Sequence, residues 1–238
     1  MKRSLILFIS ALLSSMGFTA SYVVGVENIS YYPHYDFNKS IEKQGFAREL
    51  LDTFAADSGH TLSYQVRPVE RLWDEFLQGD VDLKYPDNAL WAGDKKADKE
   101  ISYSQPVIGF TDGVMTSSNN SSLKSLTTVR GFSPWAYLDD INQKKIKLFE
   151  QNDVSQIIKF VLAERADGAY SNVDIANYQL NKMGKTGELI FREDLPHSKN
   201  SYQLSSISYP ELIEEFNQWL INNIETVNAL KLKYQLDQ

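Results

Sequence analysis

The chain has 238 residues, of which 42% are hydrophobic, with no cysteine and a formal net charge of −7. That size and composition suit one large or two small globular domains, and the lack of cysteine excludes a disulfide framework or a thiol-held lipid anchor. Polyanion binding needs clustered Lys and Arg, whereas the densest basic cluster, within Asp94 to Lys99, is interleaved with acids, so no nucleic-acid partner is expected.

Met1-Lys2-Arg3 is a short basic start, followed by the apolar run Ser4 to Phe18 and then small residues. This is the layout of a secretory signal peptide, and the run falls short of the about 20 residues a membrane-spanning helix needs. Cleavage after Ser21, with Thr19 at the minus-three position, fits the small-x-small rule and makes residues 1–21 the leader. Of the 24 basic residues, Lys2 and Arg3 leave with the leader, so 22 face 31 acids and the net charge becomes −9. The expected product is a free, monomeric protein in the periplasm.

From Tyr22 the chain alternates strand-like and helix-like segments. The strand Tyr22 to Glu27 leads into a polar-aromatic loop through Lys43. Phe46, Leu50, Leu51, Phe54 and Ala55 then recur at helical spacing up to Gly59, which suits a left-handed helix end. Thr61 to Val66 is a second strand. Val69, Leu72, Trp73, Phe76 and Leu77 form a second amphipathic helix, closed by Gly79, and Val81 to Tyr85 reads as a third strand. This β-α-β-α-β order predicts a parallel sheet covered by helices, with ligands at the strand C-termini. A β-rich connector, Val107 to Thr116, and a loop-like Asn/Ser tract, Ser117 to Ser122, lead to a second series. Its strands are Thr128 to Gly131, Lys145 to Phe149 and Asp167 to Tyr170, with helices after Ser133, Asp153 and Asn172. Tyr202 to Ile207 alternates apolar and polar residues and returns the chain to the first unit. A helix capped by Ser208, with Pro210 in its first turn and Leu212, Phe216, Trp219 and Leu220 on one face, precedes a shorter helix, Val227 to Tyr234. The expected fold is α/β with two lobes, residues 22–108 plus 201–238 and residues 109–200, joined by a two-strand hinge.

The order and spacing of several short segments resemble the family 3 extracellular solute-binding proteins, receptors that deliver amino acids and similar solutes to ABC importers. They are Val24-Gly25-Val26, Gly45-Phe46 with Glu49-Leu50, and Leu72 through Leu77-Gln78-Gly79-Asp80-Val81-Asp82. Tyr103-Ser104-Gln105-Pro106 stands for the family's Phe-Ser-x-Pro, Arg165-Ala166-Asp167-Gly168-Ala169 for its Gly-Arg-x-Asp-Ala, and Phe216-Asn217 closes the set. The resemblance spans nearly the whole mature chain and implies a periplasmic-binding-protein-like fold that shuts on a solute.

Two departures bear on the solute. The family's carboxylate-binding Arg, in Thr-x-x-Arg, has no counterpart in Ala92-Gly93-Asp94-Lys95-Lys96-Ala97. Lys95 or Lys96 approximates its charge but not its bidentate fork. The family's ammonium-binding Asp falls at Asn172. Both changes disfavour a zwitterionic amino acid, whose unpaired charge would be costly to bury. Asp87, Asn88 and Trp91, after the third strand, are the substitute recognition set, the alternative being a rigid turn with Trp91 packed into the lobe. One of Tyr31 and Tyr32 is expected on the ligand and the other in packing. Arg71 either replaces the guanidinium or pairs in solvent with Glu70 or Glu75. Ser133 and Trp135, at a helix start, offer free N–H groups to a ligand oxygen, or Ser133 simply caps. Tyr170 either faces the cleft or forms the core rim.

Catalytic and metal signals are weak. His34, His60 and His197 are isolated, no His-x-x-x-His, cysteine pair or Gly-x-Ser-x-Gly occurs, and Asp139-Asp140 reads as a solvated helix face. No enzyme activity, metal or cofactor is expected. The expected function is capture of a small polar molecule and its delivery to a membrane permease. A sensory module for a membrane signalling protein is the alternative, and a lyase like the cyclohexadienyl dehydratases, which the chain resembles at fold level, is a remoter one.

Overall fold

A computed structural model describes residues 20–96, 98–117 and 123–236. The basic and apolar part of the expected leader and most of the Asn/Ser tract lie outside the described residues.

The first series builds β1 (Ser21–Glu27), α1 (Phe46–Ser58), β2 (Thr61–Arg67), α2 (Val69–Gln78) and β3 (Leu83–Asp87). β1 lies between β2 and β3 and runs parallel to both. Gly59 and Gly79 end α1 and α2 at φ 74° and 84°, the left-handed region where a Cβ is strained. The apolar face of α1, with Phe46, Leu50, Leu51 and Phe54, is fully buried. β3 starts two residues later than the sequence pattern predicts. Val81 instead packs beneath α2 with Leu72, Trp73 and Phe76, and the Asp82 carboxylate accepts the Val23 N–H at 2.7 Å, a bond that ladder pairing would otherwise supply.

A short helix, α3 (Gly93–Lys96), and a two-residue strand, β4 (Ser102–Tyr103), lead into β5 (Ile108–Thr116). The second series follows as β6 (Ser125–Val129), α4 (Leu138–Asn142), β7 (Lys147–Gln151), α5 (Val154–Leu162), β8 (Gly168–Asn172) and α6 (Val173–Lys182). β6 is parallel to β7 and β8, and β8 is antiparallel to β5. Asp167 precedes β8 and caps the start of β6, its carboxylate accepting the Lys124 and Ser125 N–H groups and the Ser125 hydroxyl. The helix expected after Ser133 opens as a 3₁₀ turn, Trp135–Tyr137, that runs directly into α4. Asp153 and Asn172 cap α5 and α6 by accepting the Gln156 and Ile175 N–H groups, each three residues on.

β9 (Ile190–Phe191) pairs with β5, and β10 (Ser198–Ser206) then crosses the molecule. Its first part, Ser198 to Tyr202, pairs with β5, and its second part pairs with β3 and β4. The sheet path is therefore β2-β1-β3-β10-β5-β8-β6-β7. β5 and β10 are the two strands joining a β1–β3 half to a β6–β8 half. α7 (Pro210–Asn222) and α8 (Ile224–Tyr234) return to the first half, where Phe216 and Trp219 meet Phe54 edge-on. The hydroxyl of Ser206, rather than Ser208, accepts the Tyr209 N–H at the start of α7. Among the described residues no helix is long and apolar enough to cross a membrane.

Candidate functional site

Strand C-termini of the two halves face each other across a narrow, nearly closed cleft with a cavity volume of about 30 Å³. The first half contributes Glu27 at the end of β1, Tyr31 and Tyr35 from the next loop, Val69 and Trp73 of α2, and Pro86 and Trp91 at the end of β3. Asp112 of β5, Gly131 to Ser133 after β6, Tyr170 and Ser171 of β8, and Tyr202 of β10 form the rest. The halves touch at its edge: the rings of Tyr31 and Phe132 are 5.8 Å apart. A Cβ on Gly131, whose φ is 85°, would come within 3.0 Å of Val69.

The wall is mainly aromatic. Tyr31 stacks on Tyr35 at 5.1 Å, Tyr202 stacks on Phe110 at 4.5 Å, and Trp91 meets Tyr202 edge-on at 5.7 Å. Burial holds the Tyr31, Tyr35 and Tyr202 phenols well above their ordinary range, so all three are neutral hydrogen-bonding groups.

Two acids line this wall, and their surroundings differ. The Glu27 carboxylate accepts the Tyr35 hydroxyl and lies 3.9 Å from the Lys84 ammonium, although burial still raises its pKa. Asp112 has no such support. Its Oδ1 is covered and lacks a hydrogen-bond partner among the described residues, and burial pushes its pKa up to about 7. The Ser171 hydroxyl, on the neighbouring strand, is covered and lies beside the Tyr31 phenol. Asp112 stands directly opposite Asn172 in the β5–β8 ladder, and opposed residues of an antiparallel pair share a face.

None of the described residues lining the cleft is Lys, Arg or His. Two lysines lie behind the wall, and both are engaged. Lys84 is fully buried, donates to the Pro86 carbonyl and sits 4.0 Å over the Trp73 ring. Lys96 donates to Asp87 at 3.0 Å and to the Asn88 carbonyl at 2.7 Å, and lies 4.5 Å over the same ring.

Of the residues singled out from sequence, Tyr31, Trp91, Ser133 and Tyr170 line the cleft. Asp87 and Asn88 lie behind it. Asp87 accepts the Ser205 hydroxyl, the Lys96 ammonium and the Asn88 N–H, while Asn88 donates to the Ser201 carbonyl and accepts the Leu90 N–H. Together they brace the loop that presents Trp91. Tyr32 lies outside the cleft against Tyr178 and Tyr234. Arg71 is 66% exposed and pairs with Glu75 at 2.6 Å, Glu75 also taking Arg67. Trp135 is 45% exposed and does not line the cleft. Asn172 caps α6 and donates to the Tyr202 hydroxyl at 3.2 Å. Lys95 pairs with Asp74 at the surface. Sequence reasoning missed Glu27, Asp112 and Ser171. The available signal was an acid closing the apolar β1 and another interrupting the β-rich connector.

No family model matches the sequence, nor does any curated protein. Solved structures do. A histidine kinase sensor domain with similarity to periplasmic binding proteins superposes with a TM-score of 0.73 at 15% identity, over 90% of this chain and 95% of that one. The mutant ArgBP from T. maritima gives 0.72 at 15%, over 91% and 96%. A periplasmic His/Glu/Gln/Arg/opine family-binding protein from Silicibacter pomeroyi, in complex with lysine, gives 0.71 at 19%, over 90% and 96%. At such identities the likeness establishes the fold, which is that of the periplasmic binding proteins: two α/β lobes joined by two strands.

Proposed function

We propose that this chain is an exported solute-binding protein, not an enzyme, whose lobes, residues 22–108 with 201–238 and residues 109–200, close on a small polar molecule. The observation that carries this reading is the cleft between the halves, walled from both sides at strand C-termini and holding a carboxylate with one covered, unpartnered oxygen. Two connecting strands suit closure by hinge motion, since a few residues at element ends absorb the rotation. Residues 1–21 act as the leader that brings the chain to the periplasm, and a membrane permease takes the solute onward. A sensory role is the second reading, favoured by the likeness in fold to the histidine kinase sensor domain. There the closed lobes present a surface to a signalling partner.

The test is a thermal-shift screen of amino acids, amines, organic acids and sugars, with mass-spectrometric recovery of each compound. A ligand at about 100 times its Kd stabilises a binding-competent fold by about 2.7 kcal/mol, or roughly 5–10 °C for a protein of this size. A stabilising compound recovered unchanged supports binding, conversion to product indicates an enzyme, and no shift with any class contradicts the proposal. A permease gene beside this one favours delivery; a sensor kinase gene favours signalling.

A further inference from the structure

The polar groups of the cleft restrict what it can hold. A ligand carboxylate needs a cationic or multiply donating partner, because burying an uncompensated charge is unfavourable. No basic side chain lines the cleft among the described residues. The nearby lysines are held by Glu27 and the Pro86 carbonyl, and by Asp87 and the Asn88 carbonyl. Arg67 and Arg71 are both committed to Glu75.

A positive charge meets the opposite situation. Asp112 carries a covered oxygen without a partner, and the Ser171 hydroxyl also lines the cleft, beside the Tyr31 phenol. Around them stand the faces and edges of Tyr31, Trp91, Phe132 and Tyr202, and aromatic rings attract cations through their quadrupole. The acid that the sequence resemblance places at position 172 is an amide here, and the negative charge stands instead at Asp112, its cross-strand partner on β5. Asn172 is left to cap α6 and hold Tyr202.

We propose that the cleft selects an organic cation carrying no carboxylate, an alkylamine, guanidine or quaternary ammonium, with Asp112 as its counter-ion and Ser171 as a further hydrogen-bond acceptor where the cation carries N–H. This inference rests on the binding reading above and adds the chemical class of the solute. The titratable groups facing Asp112 are the phenols of Tyr31, Tyr170 and Tyr202, with Glu27 across the cleft on its own partners Tyr35 and Lys84. Burial raises all three phenols, Tyr170 to about 12, so they stay neutral through the neutral range. Asp112 changes charge as pH falls through about 7, and Glu27, whose pKa burial also raises, is the second acid of the cleft.

Calorimetry with matched pairs tests the proposal: cadaverine against L-lysine and agmatine against L-arginine, each pair differing by one carboxylate, with choline and L-glutamate as the extremes. The expected result at pH 8 is binding of at least one of the three carboxylate-free cations, and weaker binding, by tenfold or more, of an amine's amino-acid counterpart. Asp112→Asn, checked for a cooperative melt, should weaken that cation by at least tenfold. If the variant does not fold, a pH series on the unaltered protein with choline, whose charge is fixed, tests whether ionised cleft acids are the counter-charge when choline is a ligand. With cadaverine or agmatine, both fully protonated below pH 8, it serves equally. Affinity should then fall as pH drops from 8 to 5.5. Equal or tighter binding of the amino acids, or cation affinity indifferent to both Asp112→Asn and pH, overturns the cation assignment and leaves solute binding standing. Failure of every compound here and in the broader screen removes the binding reading itself.

Discussion

Asp112 makes opposite demands on stability and recognition. Its carboxyl is held near pH 7, against an ordinary value of 3.8, by burial alone, so the folded chain binds this proton more tightly than the unfolded chain does. Stability therefore declines as pH rises from about 4 to about 7 and stays lowered above that, by less than the full shift would give because Asp112 is partly exposed. Asp112→Asn removes the penalty, and denaturant titration at pH 8 should show the ligand-free variant more stable than the parent, with the gap closing at pH 4. A variant less stable at pH 8 would mean that Asp112 is paired and satisfied. Trp91 and Tyr32 form a second contrast, since both are aromatic candidates but only Trp91 lines the cleft. Trp91→Ala should weaken ligand binding at least tenfold, about 1.4 kcal/mol, whereas Tyr32→Ala should leave affinity within about twofold. Equal effects in titration would remove the distinction.

Between residue and fold, the segment from β3 to α3 shows how buried charge positions a recognition loop. Asp87 and Lys96 are both buried, and Ser205 and the Asn88 backbone complete their bonds. Such a pair adds little net stability against an apolar equivalent, but removing one partner strands the other. Asp87→Ala leaves the Lys96 ammonium covered without its carboxylate and should lower the unfolding free energy by about 3–5 kcal/mol, read by urea denaturation. A change below 1 kcal/mol would show that the loop does not depend on the pair. From sequence alone, Asp87 and Asn88 have the composition of a recognition set. Nothing in one dimension shows that Ser205 and Ser201, more than a hundred residues away, come to them. Helices α1 and α2 were legible because apolar spacing and closing glycines state both face and end. Strands of the second half were displaced by a few residues because Asp167 works as a cap and Gly131 as a close-contact turn. The Asp112–Asn172 pairing was hidden for a related reason: it is a matter of ladder register between β5 and β8, and register does not show in either segment alone.

For the molecule as a whole, two α/β halves share β5 and β10, and the cleft lies beside both connections. The alternation of segments made this architecture readable, because parallel strands need crossovers and a chain that returns must cross between halves twice. Closure over a solute is the central claim, and the cysteine-free sequence makes it directly measurable. Single cysteines at the exposed positions Gln78, at the end of α2, and Asn142, at the end of α4, place one spin label on each half. Pulsed-EPR distances recorded with and without a compound shown by calorimetry to bind should shift to a shorter, narrower distribution when the ligand is present. A distribution unchanged by a bound ligand would contradict the account.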